Sequence, residues 1–129
     1  MKDLVELIEL SKVKCEIDVK RGEKKYFDFE WLLNEISNEI LEVKEEIKEN
    51  NYPYLEDELS DILWGWIILV QKLQREGLVN SHEAIFKRAL KKYKERILPL
   101  KGDMSDNEIW QRVKKKQKEA LERELTGDK

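Results

Sequence analysis

The amino-acid sequence predicts an all-α fold, an antiparallel bundle of about five helices completed by oligomerisation. Three observations carry this expectation. Apolar residues recur at helical rather than alternating spacing along most of the chain. Charged residues make up 41% and apolar ones 40%, with 5 Gly and 2 Pro, a balance that suits helices with one wet and one dry side. The stretch Ile62-Leu-Trp-Gly-Trp-Ile-Ile-Leu-Val70 carries no charge, which marks a helix buried on all sides. The 129 residues are enough for one domain with a core. They are read as a single domain over 1–129, with a core at about 29–98, an N-terminal helix at about 2–19 and a C-terminal helical arm at about 106–125.

Composition also excludes several classes. The 25 basic and 28 acidic residues leave a net charge of −3, so no global field favours nucleic acid. A single cysteine rules out an internal disulfide, and Cys15 reads as an inert, partly buried thiol because only one histidine exists to activate it. Charges in Met1-Lys-Asp-Leu-Val-Glu6 break any signal-peptide pattern. The apolar run from Ile62 falls well short of the roughly 20 residues a membrane span requires. No membrane partner is expected, and the protein is placed in the cytoplasm.

The first helix carries Leu4, Leu7, Ile8 and Cys15 as a stripe, and Gly22 is its expected stop. The second runs from about Asp28 to Glu49. Its core stripe is Leu33, Ile36, Ile40, Val43 and Ile47 at 3/4 spacing. Glu35, Glu39, Glu42 and Glu46 repeat that spacing one position earlier, about 100° around the axis. Asn50-Asn-Tyr-Pro53 is a loop, with Pro53 suited to a helix start. The third helix spans about 54–76 and packs antiparallel on the second, as a short link dictates. The fourth begins at Asn80, with Glu83 as a capping-box partner, and ends at Pro99. Its apolar side is Ile85, Phe86, Ala89, Leu90, Tyr93 and Ile97; Arg88, Lys92 and Arg96 form a basic row. Ser105-Asp-Asn-Glu108 reads as a capping box opening the fifth helix. That helix has a thin apolar stripe interrupted by Lys114-Lys-Lys-Gln-Lys118, which suits an arm lying on another subunit or on the outside of the bundle.

Two acidic motifs organise the chain. Glu39-Ile-Leu-Glu42 and Glu58-Leu-Ser-Asp61 each place two carboxylates on one helix face. Counted from the link, the two pairs lie at similar depths, so the four can converge at one level. The row of Glu58 and Asp61 continues through Gly65 to Ile68, so it does not simply face water. Buried carboxylates require partners. Four carboxylates without nitrogen or sulfur select a hard cation, Mg²⁺ or Mn²⁺, with Ca²⁺ as a further choice. A metal-loaded acidic pocket then becomes a phosphate site. A di-iron carboxylate bundle would require Glu-x-x-His on two helices, and His82 is the only histidine.

The paired motifs Glu39-x-x-Glu42 and Glu58-x-x-Asp61 resemble the signature of MazG-type nucleotide pyrophosphohydrolases, in the all-α NTP pyrophosphatase superfamily that includes the all-α dimeric dUTPases and the dCTPases. Asp57-Glu-Leu-Ser-Asp61-Ile-Leu-Trp64 and Lys92-Tyr-Lys-Glu-Arg96 are similar to family segments too, and the resemblance covers roughly residues 29–98. It implies Mg²⁺-dependent hydrolysis of an NTP or dNTP to the monophosphate and pyrophosphate, as nucleotide-pool house-cleaning, by a homodimer or homotetramer. By the same analogy Glu39, Glu42, Glu58 and Asp61 hold the metal. Glu39 or Glu42 also accepts the proton of the attacking water, and Lys92 and Arg96 bind the outer phosphates. Trp31, Trp64, Trp66 and Trp110 are candidates to stack on the base, and Trp64, three residues past Asp61, is favoured among them. The chain departs from the family pattern at Asn38, where many members carry a second Glu, with Glu35 one turn back as a stand-in. It departs again at Arg96-Ile-Leu-Pro99, where Arg-His-Pro-His is frequent. A narrower alternative is a dUTP- or dCTP-specific enzyme. An alternative of another class is a non-catalytic helical interaction module. A nucleic-acid module resting on Lys114–Lys118 ranks below both.

Overall fold

The computed structural model describes residues 1–127. Among the described residues there are five α-helices: α1 (Lys2–Arg21), α2 (Phe29–Glu46), α3 (Tyr52–Arg75), α4 (His82–Ile97) and α5 (Asp106–Thr126). No strand occurs among the described residues, so the chain is all-α, as the periodicity predicts.

The chain forms two compact units, Met1–His82 and Glu83–Lys129. In the first, α1 and α2 both pack on α3. Gly22 ends α1 in the left-handed region (φ 67°), where glycine meets no Cβ clash, and its N–H bonds back to the Asp18 and Val19 carbonyls. A 3₁₀ turn, Lys24–Phe27, leads to Asp28, whose carboxylate caps α2 by accepting from the N–H groups of Glu30 (3.0 Å) and Trp31 (3.3 Å). The helix α2 stops at Glu46, three residues short of the expected Glu49, and Pro53 sits in the first turn of α3. The hairpin is antiparallel. Ile36 lies against Gly65, so closely that a Cβ at position 65 would stand 3.0 Å from Ile36 Cγ1.

The α2 stripe differs from the expected one. Leu33, Ile40 and Ile47 are each more than half exposed, whereas Leu32 is buried and Ile36 and Val43 are half-buried. The face turned to α3 is therefore Leu32, Ile36, Glu39 and Val43, again at 4/3 spacing but rotated by one residue. This rotation carries Glu39 inward and leaves an apolar stripe uncovered. On α3, Ile67, Ile68 and Val70 are buried, but Leu59 and Leu63 are exposed, so the uncharged run is not buried on all sides within one chain.

His82 closes the first unit. Its ring is buried, edge-on to Trp66, and its Nε2–H donates to the Ile67 carbonyl at 2.8 Å. The helix α4 starts at His82, two residues later than expected, so Ser81 rather than Asn80 precedes it. In the second unit, α4 and α5 are joined by Arg88 to Glu124 (2.8 and 3.1 Å) and by Arg96 Nε to Gln117 (2.8 Å). The expected capping box at Ser105 does not form. Ser105 bonds to Asp103, and the Asp106 carboxylate instead accepts from the N–H groups of Lys101 and Gly102, both at 2.8 Å.

Candidate metal centre

The α2–α3 hairpin brings the two acidic motifs to one level. One carboxylate oxygen from each of Glu39, Glu58 and Asp61 lies within 4.8 Å of the others. Glu42 stands beside both Glu39 and Glu58, and its charge and hydrogen bonding act on each. Glu39 and Glu58 are half-buried; Glu42 and Asp61 are exposed. Glu35 is exposed and lines the adjoining cavity together with Glu39 and Asp61. No histidine or cysteine joins the cluster among the described residues, and His82 spends its ring nitrogen on a backbone carbonyl, so the di-iron alternative has no nitrogen ligand here.

Electrostatics mark the cluster as incomplete. Burial, then the Glu42 charge and hydrogen bond, then Asp61 and Glu58, push the Glu39 carboxyl up from 4.5 to about 7. Burial, then Glu42, Asp61 and Asp57, raise Glu58 as well. Glu39 Oε2 and Glu58 Oε2 are buried without a hydrogen-bond partner among the described residues. Buried acceptors of this kind are rare unless a ligand or ion serves them. All-oxygen donors with uncompensated charge fit a hard divalent cation.

A cavity of about 350 Å³ adjoins the cluster within the first unit. One wall is a single row of α3: Asp61, Trp64, Gly65, Ile68 and Lys72. Glu39, Ile36 and Trp31 of α2 face it, with Tyr26 of the 3₁₀ turn edge-on to Trp31 at 5.7 Å. Trp64, the expected base-stacking residue, thus lines the same cavity as Asp61. Lys92 and Arg96, the expected phosphate ligands, belong to the second unit. There Lys92 Nζ lies 5.6 Å from the Tyr93 ring, and Arg96 is held by Gln117, Tyr93 and Trp110.

The sequence reading missed the far wall of the cavity. Asp18 of α1 is fully buried; Lys14 bonds its Oδ1 and Lys72 Nζ sits 2.9 Å from its Oδ2. Burial alone would raise the Asp18 carboxyl, but these two cations hold it below its ordinary value. Lys72 is itself buried, with the Tyr26 and Phe27 rings at 5.4 and 5.1 Å. The available signal was Lys72, which ends the row from Asp61 three helical turns on. The i,i+4 spacing of Lys14 and Asp18 by itself marks only neighbours on one helix face. Cys15 beside them is buried and its thiol is raised by that burial, in keeping with an inert role.

Comparison with known proteins followed the same segment. The family profile for the MazG nucleotide pyrophosphohydrolase domain matches residues 27–97, more than half of the chain. No curated protein and no solved structure matches it.

Proposed function

The chain belongs to the MazG nucleotide pyrophosphohydrolase domain family, and from that premise we propose that it hydrolyses nucleoside triphosphates, ribo- or deoxy-, to the monophosphate and pyrophosphate. The observation that carries this reading is the convergence of Glu39, Glu58 and Asp61, with two buried oxygens left unpartnered. Glu39, Glu42, Glu58 and Asp61 would hold Mg²⁺, or Mn²⁺ in its place. When bound, the cation would supply charge neutralisation and polarisation of phosphate oxygens. Glu39 or Glu42 would accept the proton of the attacking water. Trp64 offers an aromatic face to the base beside the acidic cluster. By analogy with the family, Lys92 and Arg96 would bind the outer phosphates. Residues 1–129 are taken as one such domain, acting in the cytoplasm on the nucleotide pool. No described helix is long and apolar enough to cross a membrane.

A second copy of the chain is part of this reading. Leu33, Ile40, Ile47, Leu59 and Leu63 leave an apolar strip on the α2–α3 hairpin that a homodimer or homotetramer would cover. Sedimentation at micromolar concentration should show an oligomer, and Ile40→Lys should shift it to monomer.

The test of function is pyrophosphate release from each common NTP and dNTP, with Mg²⁺ and with chelator. Mg²⁺-dependent pyrophosphate with matching monophosphate is the expected result. Silence across the panel, together with no melting shift on adding Mg²⁺, would favour the non-catalytic interaction module. A response confined to dUTP or dCTP would favour the narrow-specificity alternative.

A further inference from the structure

The profile match begins at residue 27, yet one end of the cavity is built by residues that precede it. Lys14 and Asp18 come from α1, and Asp18 meets Lys72 on the cavity wall. The two ends of the cavity are distinct. Asp61 and Lys72 lie on one row of α3, eleven residues apart, or ~16 Å along the axis. Side chains on a helix lean toward its N-terminus, so Lys72 reaches back over Ile68 and shortens that interval. Between the two ends lie Trp64, Trp31 and Gly65, two aromatic faces and a position without a side chain. A volume of about 350 Å³ is at the small end of the roughly 300–1,000 Å³ range of small-molecule sites, fit for a base with its sugar.

The far end has unused capacity. Asp18 Oδ2 is buried and paired with Lys72 Nζ at 2.9 Å, and a carboxylate oxygen keeps a second lone pair beyond that one contact. A buried polar atom on a cavity wall with spare acceptor capacity is a place for a ligand donor. The neighbouring ammonium offers donors only, and the carboxylate offers acceptors only.

We propose that the Asp18–Lys72 pair reads the edge of the nucleobase and selects bases in which a carbonyl adjoins a ring N–H: guanine, uracil, thymine or hypoxanthine. This rests on the nucleotide reading of the acidic cluster. The carbonyl accepts from Lys72 Nζ and the ring N–H donates to Asp18 Oδ2, while Trp64 and Trp31 bound the ring faces. Adenine has no carbonyl, and in cytosine the carbonyl adjoins a bare ring nitrogen. Either would leave one member of the pair facing the wrong partner, the kind of mismatch that buried polar sites reject strongly. Asp18 and Lys72 are thus specificity-determining residues, not participants in the hydrolysis.

The test is tryptophan-fluorescence titration with GMP, UMP, AMP and CMP, which requires no turnover, alongside kcat/KM for the four triphosphates. GMP and UMP should bind at least about tenfold more tightly than AMP and CMP. The double variant Asp18→Leu/Lys72→Met removes both charges together, an exchange that buried pairs often tolerate. It should keep its helical circular dichroism and bring the four affinities within about threefold of one another. Equal or tighter binding of AMP or CMP by the native chain would overturn the proposal, as would an unchanged ratio in the folded double variant. If the double variant does not fold, the native ratio decides alone. Selective monophosphate binding without pyrophosphate release from any triphosphate would sustain this inference and overturn the proposed function. Pyrophosphate release with equal kcat/KM for all four bases would do the reverse.

Discussion

Lys72 and Asp61 share one row of α3 and one cavity, but the carboxylates around them shift in opposite directions. Asp18 is fully buried yet held below its ordinary pKa, because Lys14 and Lys72 supply two positive charges. Glu39 is only half-buried yet pushed up to about 7, first by that burial and then by Glu42, Asp61 and Glu58. Burial raises both carboxyls; the sign of the neighbours decides whether it is opposed or reinforced. The charges of the first cluster are balanced within the fold, whereas those of the second are not.

The sharpest way to break this contrast is to remove one member from each cluster. Glu58→Gln should take pyrophosphate release to background and abolish the rise in melting temperature on adding Mg²⁺. It should also raise the melting temperature measured in chelator, since like-charge repulsion is relieved. Full activity in this variant would remove Glu58 from the ligand set. Lys72→Met should act the other way. It strands a buried Asp18 carboxylate with only half-exposed Lys14 as partner, at a cost of about 3–5 kcal/mol in chemical denaturation. A loss below about 1 kcal/mol would show that Asp18 has access to water or to another partner.

A smaller effect separates the clusters by pH. Glu39 has a folded pKa of about 7 against an ordinary 4.5, so the folded state holds this proton more tightly than the unfolded chain does. Its contribution to stability is present below pH 4.5 and is lost as pH rises through 7. In chelator, the Glu39 contribution should raise the melting temperature on going from pH 7.5 to 5.5. Mg²⁺ should stabilise more at pH 7.5 than at 5.5, because protons compete for the same oxygens. Asp18, lowered from 3.8, contributes stability present above that pH and lost below it, so its loss falls in a separate, more acidic window. The smallest effect is expected at Gly65→Ala. Its Cβ would meet Ile36 Cγ1 at 3.0 Å, but alanine gains about 1 kcal/mol of helix propensity. Net stability should change by less than about 1 kcal/mol, while KM for the triphosphate rises a few-fold as the cavity narrows.

Much of the hairpin was legible beforehand because its signals are local. A 3/4 apolar spacing makes a helix, Gly22 stops one, and x-x spacing puts Glu39 with Glu42 and Glu58 with Asp61 on common faces. A short link at Asn50–Pro53 then leaves two helices little choice but to fold back on one another. The capping box at Ser105 was misread for the converse reason. Asp103 takes the Ser105 hydroxyl and N–H, and Asp106 takes the Lys101 and Gly102 N–H groups, so the preceding loop uses the side chains that the motif assigned to the cap.

By itself, the sequence determined that this chain is all-α, where each helix lies and which acids share a face. Only the tertiary structure decided which face of α2 turns inward: Leu32, Ile36 and Glu39 rather than Leu33, Ile40 and Ile47. Two apolar rows lie about 100° apart on that helix, and periodicity ranks neither until a neighbour packs against one. The tertiary structure likewise decided that Asp18 meets Lys72 across 54 positions of sequence. Helical spacing specifies contacts within about one turn, whereas a contact between helices depends on how their side chains interlock, which no single stretch of the chain contains.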